Sequence, residues 1–462
     1  MNRTEPYRIH VLEKQGGRHN ADLAVVLDED IVVNPSLLTH YCYDTVTGLT
    51  HDLMALIGAV KLADRAVTRH HASGWSRHLI IRLPVFEKAH WQSSKVKDAL
   101  EQCLQYLTGD TWEFEFAQRR RMPNVKGQQD PLKVGIDRPV VFIPYSHGLD
   151  SYAQYALLRA RAPETEIVCV QASAHDRAPA WRAYSRRAFR DEVPAIPVPV
   201  VLRHRKMREL SFRTRPFTYY LLAAYGAVLL RTGSVLIPEN AQGSLGGSLV
   251  PGGAEAKHRS CYPGFTRRLG HFLHELTGRV IEFEHPALFR TKGQVLQDLQ
   301  GVGVDLATVI DEHFSCSYDA RLANAEHKRM HCGVCGNCLL RRIAEQFANV
   351  IGATSYLYGE LSAPQLEAAT ESTRRNHAAF CDVARNSARD MQRLTDLAGE
   401  PNTFSIHSLS VDLARWTNRP REDVHRDIML TLTQHANEWG SFLASCGPAS
   451  WLAHAARGTY GY

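Results

Sequence analysis

Residues 140–145, with the polar turn behind them, constrain this chain more than any other feature. Val-Val-Phe-Ile-Pro-Tyr is apolar throughout, the pattern of a strand covered on both faces in a parallel sheet. Ser146-His147-Gly148-Leu149-Asp150-Ser151 comes next, then a helical pattern over 152–161 and a second apolar run over 166–171. Parallel neighbours need a crossover, so a β-loop-α-β unit is expected here. The alternation continues, with strands near 198–202, 234–238 and 279–283 and helices opening at Phe217 and Phe265. This predicts an α/β fold built on a doubly wound parallel sheet. Such sheets take ligands beyond the carboxyl ends of their strands, where the Ser146 turn would lie.

A length of 462 residues sets a prior of about three domains around this core. Residues 1–118 read as an α/β extension that packs or binds a partner. Leu53, Leu56, Ile57, Val60 and Val67 share one face of a helix over 51–67, and Trp112, Phe114 and Phe116 alternate with Glu113 and Glu115 as in a half-buried strand. Residues 119–139, with three successive arginines, Pro123 and Pro131, read as a solvated linker, and RNA contact is the sharper alternative. The core runs over 140–350. A helical extension covers 351–462, with a capping box expected at Ser362-Ala-Pro-Gln365. Two helices are expected over 411–437 around Asn418-Arg-Pro; a helix-turn-helix would fit this pattern, as would an ordinary helical pair.

Lys plus Arg exceeds Asp plus Glu by only 54 to 48, which argues against a polybasic nucleic-acid binder but leaves a local anion site open. The first residues lack an apolar leader, and the most apolar stretch, 217–230, stops at Arg231, too short for a bilayer. A cytoplasmic protein without membrane contact is expected. A homodimer is allowed.

The turn at 146–151 follows a strand and opens a helix, whose free N–H groups attract an anion. Gly148 would let the backbone approach phosphate, and Ser146 and Ser151 add hydroxyl donors. Asp150 would repel phosphate unless it orients the turn or helps hold Mg2+. The Gly-Lys-Ser/Thr of a Walker A loop is absent.

Six of the ten cysteines are scattered, while Cys316, Cys332, Cys335 and Cys338 cluster. A C-x2-C-x2-C run with a fourth cysteine upstream matches tetrahedral Zn2+, and four thiolates leave no open position for catalysis. An iron–sulfur cluster uses similar spacing. His327 or His331 could replace Cys316, which is separated from Cys332 by fifteen residues.

The Ser-x-Gly-x-Asp-Ser turn resembles the pyrophosphate loop of the N-type ATP pyrophosphatases, with His147 where that family has glycine. Together with the cysteines, residues 140–345 resemble the 7-cyano-7-deazaguanine synthase (QueC) family. The segment from His285-Pro286 to Thr291-Lys292, Ile237-Pro-Glu239-Asn240, Arg213-Thr-Arg215 and the Arg341-Arg342 pair carry the rest of the likeness. The long flanks look like the diverged QueC-like proteins of bacterial antiphage operons, in the Qat and type IV CBASS systems. This resemblance implies ATP and Mg2+ as cofactors beside Zn2+, and nucleotide binding by residues 146–151. It implies substrate contacts from Arg213, Arg215, Glu239 and Asn240, and catalytic roles for Lys292, Asp150 and Arg215.

The implied reaction is adenylation of a carboxylate, 7-carboxy-7-deazaguanine, followed by attack of an amine. That amine would be ammonia in the ordinary synthase of queuosine biosynthesis, or the N-terminus of a protein encoded in the same operon in a diverged relative. Two further readings stand beside it. One is a tRNA sulfurtransferase using Cys261, since Cys169 falls on a buried strand. The other is a nucleotide-binding scaffold that has lost turnover through His147.

Overall fold

The computed structural model describes residues 5–14, 16, 20–69, 75–121, 138–174, 193–203, 207–250, 255–318, 323–325, 328–350, 354–370 and 377–460. Most of the linker expected at 119–139, and His327, lie outside the described residues. The fold is mixed α/β, divided into two compact units. The first comprises 1–146, 161–238 and 251–286; the second comprises 147–160, 239–250 and 287–462.

The first unit holds two sheets. Strands β1 (Tyr7–Leu12), β2 (Leu23–Val26), β4 (His78–Val85) and β5 (Thr111–Gln118) form a parallel sheet in the order β2-β1-β4-β5. Strands β6 (Val140–Pro144), β7 (Glu166–Ser173), β8 (Ala195–Leu202), β9 (Ser234–Leu236) and β10 (Glu282–Glu284) are parallel in a second sheet. Its order is β10-β9-β6-β7-β8, closed at one edge by β3 (Ile31–Val33) running antiparallel to β8. The order therefore reverses between the neighbours β6 and β9, which makes that point the topological switch of the sheet.

Residues 5–118 share the hydrophobic core of this second sheet. The chain leaves β2 and enters β3 through a turn in which the Asp30 carboxylate accepts from the Val26 amide at 2.8 Å. Helix Gly48–Ala66 is buried along most of its length, including Leu53, Leu56, Ile57 and Val60, because both β3 and β4 pack on it. Gly58 allows the close approach to β3: a Cβ there would stand 2.1 Å from Ile31 Cγ2. The β5 alternation holds, with Trp112, Phe114 and Phe116 buried and the glutamates exposed. Arg119 belongs to this folded segment rather than to a linker. It is buried, its amide donates to Val85 O at 2.8 Å, and its guanidinium lies over Phe86.

Four buried charges tie the unit together. Arg69 pairs in a bidentate manner with Asp110 (2.6 and 2.7 Å), and Arg77 bridges Asp64 (2.6 Å) and Asp110 (2.7 Å). The other Asp64 oxygen accepts from the amide and hydroxyl of Thr214, the residue before helix Arg215–Leu229. Each lone charge would be costly in such a place, and mutual neutralisation removes that cost.

The second unit is helical apart from a short hairpin, Asn324–Ala325 with Lys328–Arg329. Helix Leu149–Arg161 packs Leu149, Ala153 and Leu157 against Val295, Leu296 and Leu299 of helix Lys292–Gly301. A second cluster joins the cysteine segment to the C-terminal helices through Leu339, Ile343, Trp439 and Trp451. The capping box expected at Ser362 does not form. Its hydroxyl donates to Glu360, and the chain makes only a 3-10 turn at Leu366–Ala369. Helices Phe404–Thr417 and Arg421–Cys446 do flank Asn418, which ends the first of them in the left-handed region (φ 52°). Among the described residues, no helix is long and apolar enough to cross a membrane.

Replacing Asp110 by alanine should leave Arg69 and Arg77 sharing one carboxylate and cost about 3–5 kcal/mol, read by urea unfolding. A loss below about 1 kcal/mol, the range of exposed pairs, would contradict a structural role for the network.

Candidate active site and metal centre

Three neighbouring parallel strands, β10, β9 and β6, are each followed in the chain by one polar residue of a single cluster. Asp150 follows β6, Asn240 follows β9 and Lys292 follows β10. Lys292 Nζ donates to Asp150 Oδ2 at 2.5 Å, and Asn240 Nδ2 donates to Asp150 Oδ1 at 2.9 Å. Lys292 and Asn240 are buried, while the Asp150 side chain keeps 26% exposure, so the cluster opens toward solvent on the carboxylate side.

Local capping fixes each member. Asn240 caps helix Ala241–Leu249 by accepting from the Gly243 amide at 3.1 Å. Glu239 Oε1 accepts from both the amide (3.2 Å) and the side chain (3.0 Å) of Asn240, and so orients it. Thr291 and Gln294 form a capping box that starts the helix at Lys292. The Lys292 amide donates to Gln242 Oε1 at 3.0 Å. Gln242 Nε2 and Ser244 Oγ are buried without a hydrogen-bond partner among the described residues.

The turn before the cluster has Ser146 and His147 exposed, Leu149 buried and Ser151 bonded to Gly148 O at 2.8 Å. His147 sits at φ 57°, the left-handed region that favours glycine. The backbone thus keeps a glycine-type conformation despite the side chain. Beside the turn, the His313 ring lies tilted against that of Tyr152, with centroids 4.3 Å apart, and holds its Nδ1 against Val309 O; burial lowers its pKa.

Arg213 and Arg215 belong to the first unit. Arg213 is buried there, donates to Glu255 (2.8 Å) and Ala256 O (3.2 Å), and lies over Trp75, so its fork is already engaged. Arg215 is exposed and lies 5.5 Å from the Tyr219 ring. Cys261 accepts from the Tyr220 hydroxyl at 3.0 Å, and Cys169 is fully buried on β7 with its thiol pKa pushed up by burial.

Cys316, Cys332, Cys335 and Cys338 bring their sulfurs within 4.8 Å of one another, an arrangement that could hold a metal ion and suits Zn2+. Backbone amides of Cys332 (3.4 Å) and Tyr318 (3.5 Å) point at Cys316 Sγ, and the Cys335 amide points at Cys332 Sγ (3.3 Å). Hydrogen bonding among the four thiols, with the Ser317 amide, pushes the Cys335 thiol down and the Cys332 and Cys338 thiols up, as expected of sulfurs close enough to share protons. Gly333, at φ 89°, is required here: a Cβ would lie 2.4 Å from Tyr358 O. His331 does not replace Cys316. Its Nε2 accepts from the Ser315 amide (3.1 Å) and meets Arg341 Nη1 (2.9 Å). Arg341 itself is fully buried and reaches Glu345, His313 O, Ile310 O and Thr354, which stiffens the loop around the cysteines.

Sequence reasoning missed Glu438. It lies on helix Arg421–Cys446, is 3% exposed, and accepts from the Thr291 hydroxyl at 2.5 Å and from Gln434 at 2.9 Å. Gly293 makes room for it, since a Cβ there would stand 2.9 Å from its carboxyl carbon. No local pattern marks this residue; it is one more glutamate on a polar helix.

No family model matches the chain, and no curated protein matches it.

Replacing Cys335 by serine should remove the metal held by the four cysteines and lower the denaturation midpoint, read by metal analysis and thermal unfolding. Unchanged metal content and midpoint would refute the assignment. Burial raises the Glu438 pKa above the ordinary carboxylate value. The folded state then binds this proton more tightly than the unfolded chain. Its stabilisation is present at low pH and is lost as pH rises from the ordinary value through the raised one. Glu438→Gln keeps an acceptor for Thr291 and cannot ionise. Its stability relative to wild type should therefore improve between about pH 5 and about pH 8. A pH-independent difference in urea midpoints would contradict this.

Proposed function

We propose that this protein is an ATP-dependent carbon–nitrogen ligase of the N-type ATP pyrophosphatase kind, with Zn2+ at its four cysteines. It adenylates a carboxylate, 7-carboxy-7-deazaguanine, releasing pyrophosphate. An amine then attacks the acyl carbon, AMP leaves, and an amide forms. In this reading the amine is the N-terminus of a partner protein in antiphage defence.

The convergence of Lys292, Asp150 and Asn240 in one hydrogen-bonded cluster carries the proposal. A carboxylate is a poor acyl donor because oxide would have to leave, and joining it to AMP supplies a good leaving group. Lys292 provides fixed positive charge where phosphoryl oxygens gain charge in the transition state. Asp150, whose side chain keeps partial exposure, would help hold Mg2+, and ATP with Mg2+ would supply the activation chemistry. Gln242 Nε2 and Ser244 Oγ supply further polar contacts, and Asn240 and Glu239 fix the geometry around Asp150. Arg215 is the exposed arginine that the resemblance assigns to the substrate; Arg213 is assigned too but is already paired. The zinc would fasten the loop and take no part in the chemistry.

Purified protein with ATP, Mg2+, 7-carboxy-7-deazaguanine and candidate acceptor proteins should release pyrophosphate and give a mass adduct on an acceptor. Lys292→Ala should lower the rate by about 100-fold or more. Free nitrile made with ammonia would point to the ordinary synthase. Nucleotide binding without pyrophosphate release across candidate acids would sink the ligase reading in favour of a scaffold.

A further inference from the structure

The second unit holds a separate group of metal-ligating side chains. His377 and Cys381 stand four residues apart at the start of helix His377–Asp396, a spacing that puts both on one face. Glu367 comes from the 3-10 turn Leu366–Ala369. His377 Nε2 lies 3.3 Å from Cys381 Sγ and 3.1 Å from Glu367 Oε1, and all three candidate ligand atoms fall within 4.8 Å of one another.

The other ring nitrogen is also spoken for. His377 Nδ1 lies 2.9 Å from the hydroxyl of Tyr358, a residue 1% exposed. With Nδ1–H given to that hydroxyl, Nε2 presents its lone pair between the thiol and the carboxylate. A fixed outer partner of this kind is what metal-binding histidines use. Around tetrahedral zinc, neighbouring N, O and S ligands stand roughly 3.3–3.6 Å apart, so the His377–Glu367 and His377–Cys381 distances each need to open by only about 0.3 Å to admit the ion. Cys381 is buried, whereas the Glu367 side chain is 59% exposed, so the group is reached from solvent.

We propose that Glu367, His377 and Cys381 form a second divalent-metal site of zinc type, with mixed oxygen, nitrogen and sulfur donors and a fourth position left for water. Binding replaces the Cys381 thiol proton with the metal and releases that proton to solvent. With one thiolate instead of four and an exposed carboxylate, this site holds its ion less tightly than the four-cysteine cluster.

The test is zinc content of the full chain, purified with zinc, for wild type, Cys381→Ser and His377→Gln. Each variant should carry about one zinc fewer per chain than wild type, with unchanged circular dichroism. This difference does not depend on whether the four cysteines are filled. In a chelator challenge, wild type should show an early release phase that both variants lack. With both sites filled, X-ray absorption should give a mean of about 2.5 sulfurs per zinc, rising toward 4 in Cys381→Ser. Equal zinc content in all three proteins, or an early phase that survives both substitutions, overturns the proposal.

Discussion

The hydrogen bonds from Lys292 and Asn240 to Asp150 join three segments of the second unit that are far apart in the chain. Strands β6, β9 and β10 are neighbours only because the chain reverses direction across the sheet after β8. The segments leaving them then carry Asp150, Asn240 and Lys292, separated by many residues in sequence, into one hydrogen-bonded cluster. Nothing local could bring an aspartate and a lysine so far apart in the chain to 2.5 Å.

Burying such groups requires that each charge be answered, and the chain does this by two routes. In the first unit, Asp64, Asp110, Arg69 and Arg77 answer one another completely, with both Asp64 oxygens used. That saturation leaves nothing for a ligand. In the second unit, both Asp150 oxygens are also hydrogen-bonded, but its side chain keeps 26% exposure, and Gln242 Nε2 and Ser244 Oγ have no partner among the described residues. The first network is closed to solvent; the second keeps part of its carboxylate exposed.

The sequence made the sheet legible because a strand buried on both faces leaves a continuous apolar run, and 140–144 and 166–171 are such runs. The turn at 146–151 and the four cysteines were legible because their spacing is local. Asn240 and Lys292 rested on resemblance alone. What was hidden depends on contacts distant in sequence. Residue types do not reveal that β3 pairs with β8, which joins 5–118 to the same core as the second sheet. The Ser362 pattern failed because Glu360 captures the hydroxyl that a cap would need. Arg213 looked like a substrate arginine, but Glu255 and Trp75 give it a role inside its own unit. Glu367 and His377 drew no notice because ligands on a turn and a helix start look like ordinary surface polar residues.

Glu438 gives the C-terminal helices a physical reason to belong with the candidate site. Helix Arg421–Cys446 reaches Thr291 through this one carboxylate, and Thr291 sets where the helix carrying Lys292 begins. An N-cap fixes the first turn of a helix, and the lysine occupies that first turn. Moving the cap would move the ammonium relative to Asp150, and the tight fit at Gly293 leaves little room for such movement. Residues 351–462 therefore include part of the support that holds Lys292 in place. A chain cut after the cysteine segment would keep the lysine and lose the group that positions it.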